Sequence, residues 1–166
     1  MILRCTNKLL AVIGSPPADP VPAPEAEDWY ANLLWTDRRK CLLLTHSGTL
    51  FTIFDANVTA SALRETRQLV TGLIFRELRH EDLPPATFGD LDRQDVLLAK
   101  TADRSVLGCM TDMPFLCQHA IAGSAGLART DLAALNRSLR RNINSCRDYR
   151  PPIELAAARA ARPGPG

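Results

Sequence analysis

An α+β fold is predicted by three features of the sequence: a strand-like block from Trp29 to Asp55, one long amphipathic stretch after it, and a leucine- and arginine-rich helical section at the C-terminus. Strands joined by short turns pair antiparallel, so the expectation is an antiparallel-rich sheet of five or six strands. That sheet is a three-stranded meander plus a hairpin, covered by the long helix and the C-terminal helices. A chain of 166 residues suffices for one domain with a real core. Residues 1–161 are therefore expected to form one domain and 162–166, Arg-Pro-Gly-Pro-Gly, a disordered tail.

Taken in order, Ile2 to Cys5 reads as a short strand, and Thr6 offers an N-cap to a brief helix that Gly14 ends. Five prolines between Pro16 and Pro24 exclude ladder and helix alike, which makes 15–28 a surface loop. Trp29, Ala31, Leu33 and Trp35 then alternate with Tyr30, Asn32, Leu34 and Thr36. Asp37-Arg38-Arg39 breaks the run, Cys41 to Thr45 is nearly all apolar, His46 to Thr49 makes a turn, and Leu50 to Phe54 resumes. The strand from Cys41 is apolar on both faces and so belongs at the centre of the sheet.

Thr59 or Ser61 caps a helix to about Arg79, whose Leu63, Val70, Leu73, Ile74 and Leu78 share one side while Arg64, Glu65, Arg67 and Glu77 take the other. Glu81 to Asp92 is a connecting loop. Asp95–Lys100 and Ser105–Met110 are expected to pair as a hairpin around Thr101 to Arg104. Thr111 or Asp112 caps the next helix, with Pro114 in its first turn. Thr130 caps another, with Leu132, Leu135, Leu139 and Ile143 inside and Arg137, Arg140 and Arg141 outside. A last short helix follows Pro151-Pro152.

Composition narrows the function. The net charge is +2, yet residues 129–166 hold 8 basic against 3 acidic side chains, a bias that suits an anionic partner or a solvated helix face. Aromatic residues are 5% of the chain, too few for an extended base-stacking platform. No apolar run is long enough for a bilayer and no signal-like segment opens the sequence, so no membrane partner and a cytoplasmic location are expected. Five cysteines, none in a C-x-x-C pair, indicate neither a disulfide framework nor a zinc knuckle, and read as reduced small hydrophobes. The sequence holds no Gly-rich phosphate loop, G-x-S-x-G elbow or H-E-x-x-H helix, and no cofactor or metal is expected.

Counting strand directions places the Asp37–Arg39 turn and the Thr101–Arg104 turn on one rim. That rim gathers Arg38, Arg39, Lys40, Lys100 and Arg104, with Asp37 and Asp103 beside them. The opposite rim receives His46, Ser47, Thr111 and Asp112. There a histidine beside a helix N-terminus could act as acid or base. Each residue has a plainer reading. His46 is an exposed turn residue, His119 a core or boundary histidine, Asp112 an N-cap and Arg104 a locally paired turn residue. Ser105 has no evident base. Asn32, an amide in mid-strand, needs its hydrogen bonds satisfied and is expected to organise neighbouring backbone.

Met1-Ile-Leu-Arg-Cys-Thr-Asn-Lys-Leu-Leu10, Trp29-Tyr-Ala-Asn-Leu33, Asp37-Arg-Arg-Lys-Cys41 and Arg104-Ser-Val-Leu-Gly108 with Met110 together resemble an uncharacterised family of small bacterial proteins, a domain of unknown function. Tyr149-Arg-Pro-Pro-Ile-Glu154 is similar as well. The family often has Met-Asn-Asp where this chain has Met110-Thr111-Asp112. The resemblance implies no activity, but it groups Trp29, Asn32, Arg38, Arg39, Arg104 and Ser105 in one pattern.

The leading expectation is a binding module that engages nucleic acid or another anionic partner through Arg38, Arg39, Lys40 and Arg104, helped by Arg137, Arg140 and Arg141, with Ser105 and Asn32 in the same binding set. One alternative is a small hydrolase or nuclease using His46 or His119. The other is a protein-interaction partner in a stress or mobile-element module.

Overall fold

The computed structural model describes residues 1–102, 104–143 and 149–161, without the side chains of Arg104, Ser105, Val106 and Cys109. Asp103, Cys146 and the tail at 162–166 lie outside the described residues. Five strands form one mixed sheet: β1 (Ile2–Cys5), β2 (Trp29–Thr36), β3 (Arg39–His46), β4 (Thr52–Asp55) and β5 (Leu97–Lys100), in the order β4-β3-β2-β1-β5. The β2–β3–β4 meander is antiparallel as expected, whereas β1 lies between β2 and β5 and runs parallel to both. A parallel neighbour needs a crossover, and α1 (Asn7–Ile13) with the proline-rich loop supplies it between β1 and β2. Gly14, at φ 77°, ends α1 in the left-handed conformation that glycine adopts without strain.

Hydrophobic alternation in β2 and β3 sends side chains to two cores. Leu3, Trp29, Leu42, Leu44 and Ile53 face α1, α2 (Ala60–Arg64), α3 (Thr66–His80) and α7 (Pro152–Ala160). Cys41, Leu43 and Phe54 face α5 (Met113–Gly123) and α6 (Leu132–Arg141). Burial on both faces puts β3 at the centre of the packing, each fully buried leucine contributing about 1.5–3 kcal/mol. The amphipathic stripe from Leu63 to Leu78 is buried as its spacing required, but the helix is broken at Glu65 (φ −84°, ψ 46°). Thr59 Oγ1 caps its first part by accepting the Ala62 N–H at 3.0 Å.

Several expectations are corrected. The second hairpin does not form, because residues after β5 coil into α4 (Arg104–Thr111). The short apolar run fits either period, and as a helix it brings Leu107 and Met110, three residues apart, onto Tyr30. Asp112 stands before α5 with helical dihedrals and makes no side-chain cap bond, since the chain is already helical when it arrives there from α4. At α6 the cap is Asp131 rather than Thr130: its carboxylate accepts the Ala134 N–H at 3.0 Å. Ile143 lies past the end of α6 and is 65% exposed.

The largest departures concern charge. Glu77 and Arg140, expected on solvated helix faces, are both fully covered. Arg140 Nη1 donates to Glu77 Oε2 at 3.0 Å and its Nε to Glu81 Oε1 at 2.9 Å, while Arg76 joins Glu77 to Asp55. This network seals the outer edge of the sheet. Asn136 accepts the Phe54 N–H (2.6 Å) and donates to the Phe54 carbonyl (3.0 Å), and Arg140 donates to the Thr52 carbonyl (3.4 Å). Thus α6 acts as a side-chain substitute for a neighbouring strand. On β1, Arg4 is wholly buried and donates to Asp28 (2.6 Å) and to the Pro22 and Ala23 carbonyls, tying the proline-rich loop to the sheet.

Candidate functional site

Arg38, Arg39 and Lys40 occupy the β2–β3 hairpin tip. Thr36 pairs with Arg39, so the turn has two residues, Asp37 and Arg38, with φ of 49° and 61°. Positive φ at both central positions defines the turn whose twist matches that of the flanking strands. Asp37 is steadied from outside by accepting the Leu127 N–H at 2.6 Å. Arg38 is exposed at the apex, and Arg39 donates to Asn57 Oδ1 at 2.8 Å. Lys40 places its Nζ 5.4 Å from the ring centroid of Trp35, which is 58% exposed. No acidic side chain forms an ion pair with any of the three cations among the described residues.

The common direction of the two predicted basic segments holds, since β2 and β5 both run parallel to β1. Their common location does not. Cys5 is level with Ala31 on one side and Lys100 on the other, so β2 continues five residues, roughly 17 Å, beyond the end of β5. Arg104 is the first residue of α4 rather than part of a hairpin turn, and its side chain and that of Ser105 lie outside the described residues.

Asn32 and the start of α4 belong to a different place, where β1 and β5 end beside the middle of β2. After β1 the chain enters α1 on one face of the sheet, and after β5 it enters α4 on the other, leaving a crevice between. Its volume is about 320 Å³, and Thr6, Asn32, Thr101, Leu107 and Met110 are among its walls. The Thr6 hydroxyl donates to Asn32 Oδ1 at 3.3 Å, so the mid-strand amide of β2 ties down the chain just after the end of β1.

His46 is not an exposed turn residue: it is 1% exposed, packed edge-on to Trp29 and against Phe88. The sequence hid this because Ser47-Gly48 looks like an exposed turn, whereas the proline-rich loop folds over it through Gly48 N–H to Ala26 O at 2.7 Å. Its Nδ1 lies 3.2 Å from the Thr49 N–H, which donates to it, so the imidazole proton is assigned to Nε2. Nε2 points toward Glu27, 4.0 Å away, at a cleft of about 900 Å³. His46 pairs with Trp29 and shares its face, while Asp112 joins α4 and α5 on the opposite face and His119 is exposed on α5. The expected gathering of His46 and Asp112 on one rim is therefore overturned, because no strand returns through residues 105–110.

Among the described residues, no group of three or more His, Cys, Asp or Glu side chains is placed to hold a metal ion. Burial pushes the Cys5 and Cys117 thiols up to about 12, so both stay protonated at neutral pH and behave as small hydrophobes. Among the described residues no helix is long and apolar enough to cross a membrane. Sequence reasoning missed Trp35, which alternates with Trp29, Ala31 and Leu33 in one set yet is 58% exposed, and Glu27 with Arg159, which meet across 132 residues.

No curated protein and no solved structure shows a significant match to the chain. The family described as a domain of unknown function, DUF6933, matches residues 2–155, nearly the whole length, and the chain belongs to that family.

Proposed function

We propose that this chain is a small cytoplasmic bacterial binding module that engages nucleic acid through the tip of its β2–β3 hairpin. The observation that carries the reading is the exposed Trp35 indole beside Lys40, at a two-residue turn with positive φ at both central positions that also presents Arg38 and Arg39. Cations free of acidic partners suit phosphate, and an indole face suits a single unstacked base. Arg104 and Ser105 are left out of this contact, since β5 ends well below the tip.

Fluorescence anisotropy with labelled single-stranded RNA and DNA, repeated over a series of salt concentrations, tests the proposal. Affinity should fall steeply with salt, and Arg38→Ala with Arg39→Ala should reduce the slope by roughly one for each phosphate contact removed. Undetectable binding at low salt, or binding indifferent to these substitutions and to Trp35→Ala, overturns it. Cleavage of the oligonucleotide that disappears with His46→Ala or His119→Ala would favour a nuclease instead.

A further inference from the structure

We propose that the cleft beside His46 is a binding site for an organic carboxylate, occupied in this structure by the chain's own Glu27. The donors belong to the scaffold. Arg159 on α7 is fixed by donating its Nε–H to the Thr87 carbonyl at 2.7 Å, with its guanidinium 6.0 Å over the Phe88 ring. That leaves Nη1 and Nη2 as a parallel fork, and both donate to Glu27, Nη1 to Oε1 at 2.5 Å and Nη2 to Oε2. His46 is held by Trp29, Phe88 and Thr49 with its Nε2 4.0 Å from Glu27 Oε2, near the same carboxylate but beyond hydrogen-bond distance.

The acceptor, by contrast, is replaceable. Glu27 is 53% exposed, and its segment is anchored without its side chain. Asp28 is gripped by Arg4, the Ser47 N–H donates to the Asp28 carbonyl at 2.8 Å, and the Gly48 N–H donates to the Ala26 carbonyl at 2.7 Å. Swinging the Glu27 carboxylate outward therefore breaks no backbone contact of the loop. The vacated donors would face a cleft of about 900 Å³ with apolar walls from Pro84, Ala86, Leu155 and Ala158, and with Arg150 at its edge. The bidentate Arg159 fork selects a carboxylate, and the apolar walls select one with a hydrocarbon body.

Calorimetric titration with hexanoate, acetate and inorganic phosphate tests this on three forms of the full chain. A resident carboxylate that fills the donors nine-tenths of the time weakens a competing ligand roughly tenfold, so Glu27→Ala should bind hexanoate roughly tenfold more tightly than the wild type. Acetate should bind more weakly than hexanoate, and Arg159→Met added to Glu27→Ala should abolish the gain. Thermal melts with and without hexanoate accompany each form. If Glu27→Ala lowers the melting temperature and hexanoate neither binds more tightly nor restores it, the contact only docks α7 and the proposal fails. It fails equally if binding survives Arg159→Met, or if phosphate binds as tightly as hexanoate. None of these arms involves Trp35 or Arg38, so the nucleic-acid reading stands or falls separately.

Discussion

The two ends of β3 carry charge in opposite ways. At the Arg39–Lys40 end the hairpin overhangs its neighbours, and the cations are solvated beside an exposed indole. At the other end His46 is enclosed, and along the flanking strand β4 Arg140 is buried with two carboxylates and a strand carbonyl. An arginine at the overhang is free to meet a partner, whereas one under the sheet edge is committed to keeping that edge closed. Residue type is the same in both places; what differs is how many backbone groups need a donor there.

The contrast breaks most visibly at Arg140. Arg140→Ala leaves Glu77 buried without its main cation, and urea denaturation should register a loss of about 3–5 kcal/mol. Asn136→Leu should follow, because the Phe54 N–H and C=O both lose their partner at about 1–3 kcal/mol for each group left unsatisfied. A small effect in either variant would mean that the β4 edge is not held by α6.

Glu81 sharpens the contrast through pH. Burial alone would raise its carboxyl, but hydrogen bonds from Arg141 and Arg140 outweigh that and hold it below its usual value of 4.5. A carboxyl lowered in the folded state stabilises fully above the unfolded value of about 4.5, and that contribution disappears as pH falls through the lower folded value. The urea midpoints of wild type and Glu81→Gln should therefore differ near pH 7 and converge as pH falls from about 4.5 through the lowered folded value. Convergence on raising the pH instead would reverse the assignment.

At the overhang, Arg38→Ala and Trp35→Ala should shift stability by no more than about 0.5 kcal/mol while weakening oligonucleotide binding. A large loss of stability there would make the tip structural. The smallest effect belongs to Asp112→Ala. A working N-cap would cost about 1 kcal/mol, but this aspartate makes no cap bond, and chemical denaturation should find a change of less than about 0.5 kcal/mol.

Elements with a strong local period are legible in the sequence. Alternation in Trp29–Thr36, the doubly apolar Cys41–Thr45, the stripe from Leu63 to Leu78, Gly14 as a helix stop and Pro151-Pro152 as a helix start all sit where expected. Ser105–Met110 is not legible, because six residues with scattered apolar positions satisfy either period and only Tyr30 beneath them selects the helix. Among the candidate residues, the local Arg38–Lys40 cluster is readable as a turn. The separation of Arg104 from it, and the burial of His46, depend on contacts across distant segments.

The sequence by itself determined the α+β class, the meander, the proline-rich loop and the placement of most apolar residues, because hydrophobic periodicity is a property of neighbours along the chain. Tertiary structure alone decided that β1 sits between β2 and β5, that Arg4 and Arg140 are buried while Arg38 is not, and that Glu27 meets Arg159 and His46. A charged side chain carries no local sign of whether a partner will reach it. Its fate rests on unsatisfied backbone and carboxylate groups that come into range only when the sheet and its covering helices have closed.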